Sequence, residues 1–186
     1  MTHSTRRPVI GITAYGKNES GHYCLAAVYV EAVRKAGGLP ILLPPEEPDP
    51  AAILDAVDGL IFTGGGDLDP ATYGGYMHPT IDKIDPQRDS FELSLARLVL
   101  DSNIPVLGIC RGLEVLIVSS GGALVAHIPD EFGETVPHTQ DRIHTTQHPV
   151  KIMPKSRLAR MMEATEATIV SWHHQAARSV PPGWQA

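Results

Sequence analysis

The stretch Ile104-Pro105-Val106-Leu107-Gly108-Ile109-Cys110-Arg111-Gly112-Leu113-Glu114-Val115-Leu116-Ile117-Val118-Ser119 changes its period at the cysteine. Ile104 to Ile109 is a short apolar run with the length and composition of a buried strand. From Arg111 to about Ser119 apolar residues continue at helical spacing, and Gly121-Gly122 stops the helix. Strand, Cys110 and helix follow without a linker, so the chain turns sharply at one residue. That arrangement belongs to a fold of parallel strands joined by helices.

The rest of the sequence extends the same alternation in both directions. Pro8 to Thr13 reads as a first strand, Tyr23 to Ala36 as a helix ended by Gly37-Gly38, and Leu39 to Leu43 as a second strand closed by Pro44-Pro45. Asp49-Pro50 starts a short helix leading into a third strand, Asp58 to Phe62, because aspartate caps and proline suits the first turn. The stretch from Asp67 to Pro86 has no period and is rich in Gly, Pro, Asp and Tyr, which makes it a loop beyond the carboxyl end of that strand. Arg88 to Leu100 is predicted as an amphipathic helix with Phe91, Leu95, Leu98 and Val99 inward. Past Leu124 the pattern weakens, leaving strands over His144 to Met153 and Thr168 to Val170 with a short helix around Leu158 to Met162.

Composition excludes several classes. The 186 residues suit one domain, with 42% hydrophobic and 19% charged residues as in globular proteins. No apolar run is long enough for a membrane span, and Met1 to Pro8 lacks the apolar core of a secretory signal, so a cytoplasmic location is expected. The net charge is −6 and the basic residues are scattered singly, which argues against nucleic acid as a partner. The two cysteines, Cys24 and Cys110, are too few for a disulfide scaffold. The nine histidines form no His-Glu-x-x-His helix, and His138, His144 and His148 lie in a polar stretch, so no metal is expected.

Cys110 has the surroundings of a nucleophile. A residue on a strand-to-helix turn is lifted clear of the sheet in a strained conformation, which demands small neighbours. Gly108 and Gly112 supply them, and the helix N-terminus beyond carries partial positive charge that favours a thiolate. The competing reading is a small buried hydrophobe. Cys24 lacks flanking glycines, sits in the first turn of a helical pattern and serves as an internal control. Acyl chemistry at a thiol also needs N–H donors for an oxyanion. The N–H of Arg111 and the backbone of Gly64-Gly65-Gly66 are the available sources, since both open at the same end of the sheet.

These residues resemble the class I glutamine amidotransferase-like superfamily, and within it the γ-glutamyl-γ-aminobutyrate hydrolase group, peptidase family C26. The likeness runs through Pro8-Val9-Ile10-Gly11-Ile12-Thr13, Gly37-Gly38-Leu39-Pro40, Asp58-Gly59, Gly64-Gly65-Gly66-Asp67-Leu68-Asp69-Pro70, Arg88-Asp89, the Cys110 elbow, Gly121-Gly122 and Ser171-Trp172-His173-His174-Gln175. It implies an α/β fold with a doubly wound, mostly parallel sheet and helices on both faces. It implies Cys110 as nucleophile, Gly64, Gly65, Gly66 and Arg111 as the oxyanion hole, and His173 near bound substrate. The reaction it implies splits γ-glutamyl-γ-aminobutyrate or a related γ-glutamyl amide into glutamate and an amine through a thioester, with no cofactor and with a homodimer as the assembly.

The sequence departs from this family at three places. The superfamily's catalytic histidine and its carboxylate partner stand in a His-Pro-Glu run near the C-terminus, and this sequence contains none. The expectation is that the domain is C-terminally incomplete, because a thiol needs a base and a leaving amine needs an acid. Glu114 stands where the family usually has glutamine, and Ile117 where it often has asparagine. A carboxylate at Glu114 would bind substrate differently, repelling a carboxylate, raising the cysteine pKa or attracting an amine. Two other functions therefore stand beside the hydrolase: a glutaminase subunit passing ammonia to a synthetase, and a non-catalytic binding relative.

Overall fold

The computed structural model describes residues 6–139 and 144–186; the first five residues of the polar N-terminus lie outside the described part. Its centre is a four-stranded parallel sheet in the order β2-β1-β3-β4, built from β1 (Val9–Thr13), β2 (Leu39–Leu43), β3 (Gly59–Phe62) and β4 (Val106–Gly108). The chain steps from β1 to β2 on one side and then returns past β1 to β3, so strand order reverses between β1 and β3. Ligands of open α/β sheets bind beyond the strand ends at such a point.

The helices divide between the two faces. The helix α1 (Ala27–Lys35) packs on β1 and β2. Its Val33 meets Ile10 beside Gly38, on the face to which Ile10 points. Gly11 points the other way, where a side-chain carbon would strike Leu43, Leu60 and Val57. On that face lie α2 (Pro50–Ala56), α3 (Pro86–Leu100) and α4 (Arg111–Ser119), with α3 packed on α2 and α4, and α4 on β3 and β4. Phe62, Leu60, Leu68, Leu95, Val99 and Val115 are fully buried in this layer. Each such side chain contributes roughly 1.5–3 kcal/mol by leaving water. On the Ile10 face the cover does not reach β4, where Leu107 is 53% exposed.

The remaining elements are small. β5 (Leu124–Val125) pairs antiparallel with β8 (Ala176–Ala177), α5 (Ile128–Phe132) follows β5, and β6 (Thr146–Lys151) pairs antiparallel with β7 (Glu166–Ser171) across α6 (Arg157–Met162). The two late strands expected from sequence thus form a ribbon of their own rather than joining the parallel sheet. No helix among the described residues is long and apolar enough to cross a membrane.

Several expectations change in detail. The first helix starts at Ala27, not Tyr23, because Tyr23 bridges to Lys17 and the Cys24 carbonyl accepts from the Tyr15 N–H at 2.9 Å. Cys24 is therefore an exposed loop residue and not part of a helical turn. The loop from Asp67 to Pro86 contains a 3-10 turn at Pro70–Tyr73, capped by the Asp69 side chain. The helix α3 begins two residues early, on Asp85 capping the Arg88 N–H with Pro86 in the first turn. Its burial also differs: Arg88, Asp89 and Glu92 are buried with Phe91 and Leu95, while Leu98 is 38% exposed. Ion pairing lets the charged residues of this helix face inward.

Candidate active site

The sheet brings the two predicted halves of the site together. Phe62 at the end of β3 stands in register with Gly108 at the end of β4, and the Ile109 N–H donates to the Phe62 carbonyl at 3.0 Å. The triglycine after β3 and the cysteine after β4 therefore leave the sheet side by side.

Cys110 has φ 53° and ψ −118°, a region that a side chain occupies only at a cost of about 1–3 kcal/mol. The turn exists because two glycines let the chain close on itself. A side-chain carbon at Gly112 would lie 2.1 Å from the Phe62 carbonyl oxygen, and one at Gly108 would lie 2.7 Å from the backbone of Gly112. The crowding read from sequence is thus crowding of α4 against β3 and β4.

The glycine loop passes directly over the cysteine. A side-chain carbon at Gly64 would fall 3.5 Å from Cys110 Cβ and 3.2 Å from the Tyr29 hydroxyl. The Gly64 N–H already donates to that hydroxyl at 3.1 Å, so it is engaged. No acceptor among the described residues takes the N–H of Gly65 or of Gly66. Gly65 is exposed and has φ +154°, a conformation that side chains rarely adopt. Of the four expected oxyanion residues, Gly65 and Gly66 have N–H groups without an acceptor among the described residues, and the Arg111 N–H is directed at the Cys110 sulfur.

Arg111 presents its backbone, not its charge. Its N–H faces the Cys110 sulfur and lowers the thiol pKa. Its guanidinium turns inward and pairs with Glu92 and Asp89 of α3. Cys110 is exposed, yet the protein around its sulfur, and next the Glu114 charge, push its pKa up to about 11.

Glu114 stands one turn into α4, is buried and accepts no side-chain hydrogen bond from a described residue. Burial first, and the charge of Asp67 second, raise its pKa to about 7. Asp67 in turn accepts from the Asp82 N–H at 2.9 Å and lies 3.1 Å from His174 Nε2. That hydrogen bond is the main reason the His174 pKa is raised. The structure thus brings His174 to the loop beside Glu114. His173, the residue expected near substrate, points elsewhere: its Nδ1 bonds the Gln175 carbonyl at 2.9 Å and its ring packs on His138 at 5.0 Å. Gln175 is 2% exposed, and its amide has no hydrogen-bond partner. The Tyr73 hydroxyl, likewise without a hydrogen-bond partner among the described residues, lies near this amide, and burial raises its pKa.

Sequence reasoning quoted Asp67 and Arg88-Asp89 as motif residues without giving them a part in the site, and it missed Tyr29. No group of three metal-binding side chains occurs among the described residues.

Known proteins resemble this chain over most of its length. The profile of the peptidase C26 family matches residues 8–186. A Mycobacterium tuberculosis protein provisionally named a glutamine amidotransferase is 40% identical over 95% of this chain, and the chain spans 60% of that protein. Enterococcus hirae NtpR is 36% identical over 85% of the chain, which spans 67% of it. The γ-glutamyl-γ-aminobutyrate hydrolase of Escherichia coli is 29% identical over 98% of the chain, which spans 76% of it. Among solved structures, a Thermotoga maritima glutamine amidotransferase superimposes with a TM-score of 0.60 at 15% identity, covering 95% of this chain and 64% of the other. That likeness establishes the shared α/β fold.

Proposed function

The chain belongs to the peptidase C26 family, and on that premise we propose that it carries the nucleophile and oxyanion hole of a γ-glutamyl amide hydrolase. The carrying observation is the placement of Cys110, at φ 53° on its elbow, against the glycine loop that leaves the Gly65 N–H free. In this reading the Cys110 thiolate attacks the γ-carbonyl carbon. The carbonyl oxygen becomes an oxyanion held by the N–H groups of Gly65 and Arg111, where each donor is worth about 10²–10³ in rate. The proton given up by the thiol passes through a base to the amine as the C–N bond breaks, and water then splits the thioester into glutamate and free thiol. Likeness to the Escherichia coli hydrolase supports γ-glutamyl-γ-aminobutyrate or a similar amide as substrate.

The thiol pKa of about 11 sets a requirement. The hydrogen bonds of the described histidines go to partners other than Cys110 and the sequence holds no His-Pro-Glu, so turnover in this reading requires a further base at the thiol. Glu114 and Asp67 place two carboxyl groups and no cation of their own beside the elbow. They favour a substrate with an ammonium group there over one with a carboxylate.

The same high pKa favours a second reading, a relative that binds γ-glutamyl compounds without cleaving them. Incubating the intact gene product with γ-glutamyl-γ-aminobutyrate and measuring free amine separates the two. Release that disappears in Cys110→Ala supports the hydrolase, and binding without release supports the second reading.

A further inference from the structure

Beneath the glycine loop lies a buried group of four charges that the proposed chemistry does not itself use. Arg88, Asp89, Glu92 and Arg111 are each no more than 3% exposed. Glu92 accepts from Arg88 Nε with one oxygen, at 3.0 Å, and from Arg111 with the other. Asp89 accepts from Arg111 with one oxygen and from the Asp69 N–H, at 2.9 Å, with the other. Buried ion groups of this kind seldom add net stability over apolar packing, so their value lies in what they hold in place.

What Arg88 holds is the loop. Its Nη2 donates to the Thr63 carbonyl at 3.1 Å, the Thr63 hydroxyl at 3.0 Å and the Gly64 carbonyl at 3.0 Å. In a trans peptide the carbonyl and the next N–H point in opposite directions. With the Gly64 carbonyl tied to a buried guanidinium, the Gly65 N–H must point away from it, toward the open side on which Gly65 is exposed. Gly65 is a glycine for the same reason, since a side-chain carbon there would lie 2.2 Å from Arg88 Nη1. The ring of Tyr15 packs against the guanidinium at 5.1 Å and further limits its freedom.

We propose that Arg88 is a positioning residue that fixes the Gly64–Gly65 peptide so that the Gly65 N–H is presented as an oxyanion donor. By gripping Arg88 and Arg111 with separate oxygens, Glu92 keeps that donor in register with the Arg111 N–H. Two donors on different loops are thereby tied to one carboxylate of α3. The inference rests on the hydrolase reading for the meaning of the oxyanion, but its geometric content stands on the peptide orientation.

Arg88→Lys in the full gene product tests it, since lysine keeps the charge and loses the flat, multiply donating fork. The probes are a glutamine-derived chloromethyl ketone, whose capture by Cys110 passes through a tetrahedral oxyanion, and iodoacetamide, whose reaction does not. The expected result is a fall of about 10²-fold in the ketone rate with the iodoacetamide rate unchanged. Equal changes in both rates, or no change in either, overturn the proposal. If Arg88→Lys fails to fold, Glu92→Gln replaces it. That variant keeps an acceptor for one guanidinium and should cost roughly 10-fold in the ketone reaction alone. If the unaltered protein does not capture the ketone, the hydrolase reading fails. The positioning claim is then judged by a crystal structure of the variant: a rotated Gly64–Gly65 peptide supports it, and an unrotated one overturns it.

Discussion

His174 Nε2 lies 3.1 Å from Asp67 Oδ2, which joins a residue after the β6–β7 ribbon to the loop that follows β3. The contact acts on the proton affinity of its neighbours. Asp67 raises the His174 pKa by hydrogen bonding and, through its charge, raises that of Glu114. In Asp67→Asn both pKa values should fall, and the His174 shift is read by NMR titration of its ring protons. A His174 titration that does not move would remove Asp67 as its partner.

Raised pKa values set a pH window for stability. The folded state holds the Glu114 proton more tightly than the unfolded chain does, because its pKa rises from 4.5 to about 7. Its contribution is therefore complete below pH 4.5 and lost as the pH climbs through about 7. His174, also raised, loses its contribution over the range above its ordinary pKa. Glu114→Gln should abolish the first dependence and stabilise the protein at pH 8 by about 3 kcal/mol relative to its effect at pH 4. Urea unfolding at the two pH values measures this, and parallel curves for the two proteins would contradict it.

The same substitution acts on the thiol. Glu114 is the second largest cause of the raised Cys110 pKa, so Glu114→Gln should bring that pKa down from about 11. The pH dependence of iodoacetamide alkylation at Cys110 reports it. Cys24, exposed and far along the chain in a loop, is the reference thiol in the same sample.

Gly112→Ala should be among the most damaging single-methyl changes in the chain. The added carbon meets the Phe62 carbonyl oxygen at 2.1 Å, where neither backbone can yield without moving α4 from β3. A loss of about 3 kcal/mol or more is expected. Gly133→Ala, at φ +72° with open space around it, should cost only about 1 kcal/mol. Thermal unfolding of the two variants compares crowding with strain.

Gln175→Met should raise stability by about 1 kcal/mol, because it removes a buried amide with no partner and fills the same volume. Chemical denaturation checks the sign. A loss of stability would mean that the amide is bonded in solution.

Much of this architecture was legible because local signals agreed with the fold. Asp49-Pro50, the glycine pairs and the apolar run into Cys110 each marked a boundary that the structure keeps within a residue or two. What misled was burial. A sequence pattern assigns Arg88, Asp89 and Glu92 to the water-facing side of a helix, whereas mutual ion pairing carries them under the glycine loop and leaves Leu98 outside. Tyr23 and Cys24 fit a helical period, but a backbone hairpin with Tyr15 and Lys17, which no apolar period announces, holds them out of the helix. The choice between His173 and His174 is also tertiary, since it depends on which side of the turn meets Asp67.

The most direct measurement is mass spectrometry of the intact gene product after incubation with the chloromethyl ketone, with Cys110→Ala alongside. The account predicts one adduct, on Cys110 and not on Cys24, abolished by the substitution and slowed by excess γ-glutamyl-γ-aminobutyrate. No adduct, or equal labelling of Cys24 and Cys110 insensitive to that competitor, would contradict it.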